Sequence, residues 1–346
     1  MREIVLFVCE GTQHLAAAIE LAKVLKKTNI ECSLFYAHAY PDEPECKVFK
    51  NILNDIMIVP GYLQYVGLTV FFTNESSPYC MSSTRIGFIA KRTGTPTITM
   101  QHGWIQPGLN FQTNLSRIGF LGRGTDSSLG LWHFSPILTY FGEDGIGYPL
   151  GKANTLLEIP KKENTNILVS TNLNWNVYSR ENIVNFLRAL MHLKQEFPLL
   201  NLLHRPHPAE NPEAIAAEIG MYMESIGVTT STWPSISSAI DWADIVISTP
   251  STVILDAYFK GTPTFVYKFD GFEKALEIAQ GISFSNGREL SSLISRLLTN
   301  GEYSDPQFAA LNSSKLETAI KSLLGTAKNF KLDEEDYLQY RAFCRS

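Results

Sequence analysis

Cysteine is scarce and scattered in this chain: its 346 residues hold five, Cys9, Cys32, Cys46, Cys80 and Cys344, with no CxxC spacing. An odd, dispersed set argues against a disulfide framework and against a zinc site, and it fits a reducing compartment. No block of five basic residues occurs and the formal charge is −5, so a surface for nucleic acid or anionic membrane is not expected on electrostatic grounds. No apolar run reaches the ~18 residues that a membrane span requires. The opening stretch MREIVLFVCEGTQHL carries no small-residue cleavage site, and the expectation is a cytoplasmic protein. Peripheral attachment at the inner face of the cytoplasmic membrane is left open, although the acidic tail KNFKLDEEDYLQYRAFCRS does not suit anionic lipid. Also missing are Asp-x-Asp, GxxxxGK(S/T), HExxH and G-x-S-x-G. The expectation is therefore chemistry without metal or cofactor, in which helix N-termini and side-chain cations meet an anionic group.

What is present is globular: 45% of the residues are apolar and 18% charged, enough for two cores. Short apolar runs alternate with helical patterns. IVLFV, CSLFYAH, LTVFFT and TITMQ read as buried parallel strands, with helices over HLAAAIELAKVLKK and RIGFIAKRTG between them. From about 105 to 160 the rhythm breaks into Gly-rich loops. It then restarts with NILVST, ENIVNFLRALMHLKQEF, LLNLL, NPEAIAAEIGMYMESIG, ADIVIST, STVILDAYFKG and TPTFVYKF, before helices near 288–299 and 315–325. The pattern predicts an α/β fold of two doubly wound halves facing a cleft: residues 1–155, residues 156–315, and a helical segment over 316–346.

The chemistry-bearing residues cluster just after predicted strands, where open parallel sheets bind ligands. In EGTQHL, Gly11 and Thr12 sit between strand and helix, and Glu10 or His14 is placed to act as a base facing the cleft. QHGWIQPG sets His102 beside a glycine, with Trp104 as a stacking face. In HRPHPAEN, Pro206 and Pro208 stiffen the backbone so that Arg205 and His207 form a phosphate clamp, and Asn211 caps the next helix. Ser248, Thr249, Ser251 and Thr252 bunch at a strand-to-helix junction, an anion site, with Asp256 one turn later in reach of ribose hydroxyls. Glu143-Asp144-Gly145 offers a further carboxylate, equally readable as a solvated turn. Each of these motifs also admits a plain structural reading as a cap or a rigid turn.

These motifs carry a family resemblance. GTQHLAAAIELAKVL resembles the first loop and helix of GT-B glycosyltransferases, whose G-x-x-H stretch supplies the base, though the usual proline after His is absent. QHG resembles the His-Gly loop of CDP-glycerol glycerophosphotransferases and capsule Kdo transferases, and R-P-H-P resembles the phosphate-contacting motif of polyol-phosphate, sialyl- and Kdo transferases. STPSTVILDAYFKGTP resembles the nucleotide-binding segment of the GT-B superfamily, where Glu is the usual acid in place of Asp256. Asp144 matches the acidic-acidic-Gly motif of bacterial sialyltransferases.

The resemblance implies a GT-B glycosyltransferase that takes a nucleotide-activated sugar, with a cytidine-activated donor such as a CMP-ulosonic acid, and passes it to a glycan or glycolipid acceptor. In that picture Gly11, Thr12, Arg205, His207, Pro208, Ser248, Ser251, Thr252 and Asp256 hold the donor. Bacterial capsule or lipopolysaccharide synthesis is the implied setting, with peripheral association to a membrane-bound polysaccharide assembly complex. The alternatives are a CDP-polyol phosphotransferase, a UDP-sugar enzyme of the same fold (transferase or 2-epimerase), and a non-catalytic nucleotide-binding subunit. For an epimerase, Glu10, Asp144 and Asp241 are the candidate carboxylates.

Overall fold

The computed structural model describes residues 4–9, 12–27, 31–36, 68–72, 97–100, 104, 137–138, 140–142, 145–152, 156–160, 165–171, 173, 179–207, 217–231, 233, 235–270 and 276–329. The helix expected over RIGFIAKRTG and the cap expected at Asn211 lie outside them.

Two parallel sheets organise the chain. The first contains β1 (Ile4–Cys9), β2 (Glu31–Tyr36), β3 (Leu68–Phe72), β4 (Thr97–Met100) and β5 (Ile137–Leu138), in the order β2-β1-β3-β4-β5. Helix α1 (Thr12–Lys26) follows β1 directly and buries Ala18, Leu21, Ala22 and Leu25 on one stripe, as the 3.6-residue spacing of those apolar positions requires.

The second sheet has the order β11-β10-β9-β6-β7-β8, all parallel. Its strands are β6 (Asn166–Thr171), β7 (Asn201–Pro206), β8 (Thr229–Thr230), β9 (Ile245–Ser248), β10 (Thr264–Tyr267) and β11 (Ser283–Phe284). β9 and β10 are buried at every residue, which explains why they read as unbroken apolar runs rather than alternating ones. The interleaved helices are α2 (Arg180–Glu196), α3 (Ala217–Ser225), α4 (Ile236–Trp242), α5 (Val253–Tyr258), a 3-10 turn over Glu277–Ile282, and α6 (Gly287–Asn300).

Local chemistry sets these boundaries. Ser179 caps α2 by accepting from the Asn182 amide at 3.2 Å. Asn286 and Glu289 form a reciprocal capping box at the start of α6: Asn286 accepts from the Glu289 amide at 3.1 Å, and Glu289 accepts from the Ser285 amide at 2.7 Å. α6 ends at Gly301, in the left-handed region at φ 68°.

The strand order reverses once in each sheet. In the second, the chain runs β6-β7-β8 to one side and then returns to β9 on the other side of β6. A crevice opens at such a switch, because the connections leaving the two neighbouring strands diverge over opposite faces.

The two halves are tied together beyond residue 300. The last helix, α7 (Ser313–Asn329), packs on β4 and β5 of the first sheet. Just before it the Asn312 amide donates to the Ile146 carbonyl at 2.8 Å, and Tyr148 pairs in parallel with Ala310. Around this seam Trp104, Phe141 and Tyr258 all pack on Phe308, with ring centroids 5.1 to 6.1 Å apart, while Tyr148 stacks on Phe259 at 5.9 Å.

Candidate functional site

The carboxyl ends of β6, β7 and β9 bring one set of polar side chains together. Register places Ser170 of β6 beside Arg205 on one side and Ser248 on the other, and Thr171 beside Pro206. The Thr249 amide donates to the Ser170 carbonyl at 3.3 Å, drawing the β9–α5 junction onto the end of β6. This is the switch point of the second sheet.

β7 is longer than the sequence suggests. His204, Arg205 and Pro206 belong to the strand and not to the loop after it. Proline is tolerated there because β8 pairs only at Leu203 and His204, so the amide that Pro206 lacks has no ladder to complete on that side. The strand then aims neighbouring residues at opposite faces. His204 is buried at 2% exposure, its Nε2 2.8 Å from the Thr171 hydroxyl, while its Nδ1 has no hydrogen-bond partner among the described residues. Arg205, on the other face, is half-buried, and its guanidinium makes no ion pair or hydrogen bond among the described residues. His207 follows with an open face to solvent.

Among the described residues, the Arg205 guanidinium at this edge has no carboxylate partner. Burial pulls Arg205 below its ordinary value. Protein packed around the His207 ring, together with the adjacent Arg205, lowers the His207 imidazole. Burial alone lowers His204 to about 4, so it is neutral at physiological pH. Its effect on stability follows by linkage. Between about 6.5 and 4 the unfolded chain binds a proton that the folded one refuses, so the contribution is complete above pH 6.5 and is lost as pH falls. We expect the urea unfolding free energy to drop by roughly 2–3 kcal/mol from pH 7 to pH 4.5 through this group. The His204→Gln variant should show a correspondingly flatter slope.

The hydroxyl cluster separates into two layers. Ser248 and Thr249 are fully buried, and Ser248 Oγ has no hydrogen-bond partner among the described residues. Ser248, expected to touch the donor, is thus a fully buried hydroxyl. Ser251 and Thr252 are partly exposed above it. Ser251 Oγ accepts from the Val253 amide at 3.4 Å. Thr252 does not cap α5. Its Oγ1 instead accepts from the backbone amide of Trp104 at 3.1 Å, a bond that crosses between the halves.

One turn on, Asp256 is engaged in the same way. The Tyr148 hydroxyl donates to Asp256 Oδ1 at 2.6 Å. Burial pushes the Asp256 carboxyl up, and the Tyr148 bond and Lys260 pull it back. Desolvation and the neighbouring Asp256 raise both Tyr148 and Tyr140, so both phenols stay protonated. The ribose role expected of Asp256 is thereby narrowed, because one of its oxygens is already committed.

Glu10, Gly11, His102, Asp144 and Pro208 lie outside the described residues. The backbone places Thr12 and His14 in the first turn of α1, at the carboxyl end of β1, which neighbours β2 and β3 at the switch point of the first sheet. Asp241, the remaining carboxylate candidate, is on α4 and exposed, held by Lys260 at 2.5 Å, away from the strand ends. No group of three or more potential metal ligands occurs among the described residues. No helix among them is long and apolar enough to cross a membrane.

Sequence reasoning missed Tyr148 and the Trp104 amide as partners of this site. Trp104 stood out only as a ring, and Tyr148 follows the acidic turn that drew attention to Asp144. Neither contact has a local spacing signal, since the partners lie 148 and 108 residues apart in the chain.

No protein-family model and no curated protein sequence matches the chain. Solved structures do. A Listeria monocytogenes protein described as a UDP-N-acetylglucosamine 2-epimerase superposes with a TM-score of 0.54 at 12% identity, over 93% of this chain and 96% of that one. The S. aureus MnaA–UDP structure gives 0.51 at 13% identity, over 94% and 97%. The Neisseria meningitidis UDP-GlcNAc 2-epimerase bound to UDP-GlcNAc gives 0.51 at 12% identity, over 93% and 100%. At such identities the likeness establishes the fold, which is GT-B: an α/β architecture of facing parallel sheets.

Proposed function

We propose that this chain is a nucleotide-sugar enzyme that binds the donor's phosphates at the carboxyl edge of β6, β7 and β9 and transfers the sugar to a hydroxyl acceptor. One observation carries the reading: the half-buried Arg205 guanidinium, without a carboxylate partner among the described residues, stands at the carboxyl edge of the sheet, one strand from β6 and two from the β9–α5 junction that carries partly exposed Ser251 and Thr252. A half-buried cation is costly unless an anion meets it, and a phosphate does so with both prongs of the guanidinium.

The donor nucleotide is read as uridine diphosphate ahead of a cytidine nucleotide. Support comes from the structures that share this fold along nearly their whole length, two of which hold UDP or UDP-GlcNAc. The CMP-ulosonate and CDP-polyol readings rest on short sequence stretches: His-Gly, Arg-x-His-Pro, the Ser/Thr-rich helix start and the acidic-acidic-Gly turn.

In the transfer, the acceptor oxygen attacks the anomeric carbon while the bond from that carbon to the phosphate oxygen breaks, its electron pair leaving on the phosphate. Arg205 and the hydroxyls of Ser251 and Thr252 stabilise that developing charge without a metal. The acceptor's proton passes to His14 or His102. His14 belongs to the first turn of α1. His102 comes two residues before Trp104 in the sequence, and the Trp104 amide is bonded to Thr252.

The same fold supports a second reading, UDP-sugar 2-epimerisation, favoured by the identity of the superposing structures. It requires carboxylates facing the sugar, and Asp241 is removed from that role by its place on α4. Isothermal calorimetry with UDP, UMP, CDP and CMP in EDTA tests the nucleotide assignment, and UDP is expected to bind tightest. Incubation with UDP-GlcNAc in the absence of an acceptor separates the reactions: an epimerase equilibrates the sugar at C2, whereas a transferase leaves it intact. Tightest binding of CMP returns the cytidine reading. Absence of binding by all four sinks the nucleotide site altogether.

A further inference from the structure

Resting on the nucleotide-binding reading of the β9–α5 junction, we propose that Tyr148 is the positioning residue that makes this site selective for a ribose over a deoxyribose. Its hydroxyl donates to Asp256 Oδ1 at 2.6 Å, holding the carboxylate in one orientation one turn beyond Thr252.

The phenol is a rigid donor. Tyr148 is buried at 5% exposure, its ring stacks on Phe259 at 5.9 Å and meets Tyr140 edge-on at 5.7 Å. Its own backbone is fixed as well: the Tyr148 amide donates to the Ala309 carbonyl at 2.7 Å, and the residue bridges to Ala310. Asp256, by contrast, is one of the shortest acidic side chains that could serve here, and it retains a partly exposed edge. With Oδ1 held by Tyr148, the second oxygen, which has no hydrogen-bond partner among the described residues, is the one left for a ligand lying over the start of α5. A carboxylate oxygen accepts and cannot donate. It therefore favours a sugar carbon that carries a hydroxyl and gains nothing from one that does not.

The groups that face Asp256 make this arrangement specific. Tyr140 and Tyr148 approach from the segment after β5, and Lys260 lies at the far end of α5. Among the described residues, only Tyr148 is bonded to it. The Tyr148→Phe variant keeps the stacked ring and removes the single oxygen, so the fold and the phosphate contacts at Arg205 stay in place while Asp256 is released to turn.

Calorimetric titration with UDP, 2′-deoxy-UDP and 3′-deoxy-UDP tests the assignment in four proteins: the wild type, Tyr148→Phe, Asp256→Asn and the double variant. The wild type is expected to prefer UDP over at least one deoxy analogue by about 10- to 100-fold, the value of one charge-assisted hydrogen bond. Tyr148→Phe is expected to lose most of that ratio through weaker UDP binding, with the affinity for the discriminated deoxy analogue unchanged. Adding Asp256→Asn should cost nothing more, since the two residues act as one unit. Three results would overturn the proposal: an unchanged ratio in Tyr148→Phe, an equal loss for all three ligands, or no ribose preference in the wild type. Failure of the wild type to bind any of the three ligands removes the nucleotide site itself, and is recognisable as such because the variants are then irrelevant.

Discussion

Replacing Arg205 by alanine is expected to weaken UDP binding about 100-fold, close to 3 kcal/mol at 1.4 kcal/mol per tenfold, while leaving the empty protein as stable as before or slightly more so. The two halves of this expectation come from the same feature. The guanidinium is half-buried at the end of β7 with no anionic partner among the described residues, so in the empty protein it contributes desolvation cost and no compensating pair. A bound phosphate supplies the missing partner through charge-assisted, two-pronged bonds. An arginine with a structural role behaves oppositely, because its removal lowers the melting temperature and leaves ligand affinity intact. Lysine at the same position retains the charge but not the fork, and an intermediate loss near tenfold is expected. Paired calorimetry and thermal unfolding of wild type, Arg205→Ala and Arg205→Lys give the answer. Unaltered UDP affinity in Arg205→Ala would remove the central support for the phosphate site.

The largest stability effect is expected far from that edge, at Gly147. Its φ is +85°, and a Cβ built there would lie 2.0 Å from the Ala310 carbonyl oxygen and 2.5 Å from that carbonyl's carbon. Both obstacles are backbone, and that backbone is held by the Asn312 amide on Ile146, the Tyr148 amide on Ala309 and the Tyr148–Ala310 bridge. No side-chain rotation relieves the contact. Gly147→Ala is therefore expected to destabilise the protein by about 3 kcal/mol or more, combining left-handed strain with displacement of the segment that precedes α7. Urea unfolding measures it directly. A cost below about 1 kcal/mol would mean that the strand-like pairing between residues 148 and 310 is not part of the folded state. The same variant also loosens the seam that carries Tyr148, so its ribose preference should fall along with its stability.

These effects lie at different depths of legibility. β1, β6, β9 and β10 could be read from unbroken apolar runs, since a parallel strand covered on both faces has no polar side to show. α2 and α6 could be read from their apolar spacing and from Ser179 and Asn286 at their starts. β5, β8 and β11 could not, because each has only two residues and periodicity needs more. α4 escaped notice for a related reason: its seven residues, ISSAIDW, are too few and too polar to show a stripe. The Arg-Pro-His stretch was legible as a candidate clamp, yet its first residues belong to β7, because the ladder with β6 continues to Pro206 after the edge pairing by β8 has stopped.

By itself the sequence determined that the chain forms two parallel α/β halves and that hydroxyl, guanidinium and imidazole groups fall at or just after the ends of the strands at which ligands of such sheets bind. Those are consequences of burial pattern and of covalent order, both local. Tertiary structure alone decided which of those groups face outward. It buried Ser248 and His204, left Arg205 half-buried with no anionic partner among the described residues, set the Trp104 amide on Thr252 and gave Asp256 to Tyr148. The physical reason is that hydrogen-bonding capacity belongs to a residue type, whereas its satisfaction depends on which distant backbone and side chains are packed within 3 Å of it, and no periodicity along the chain encodes that distance.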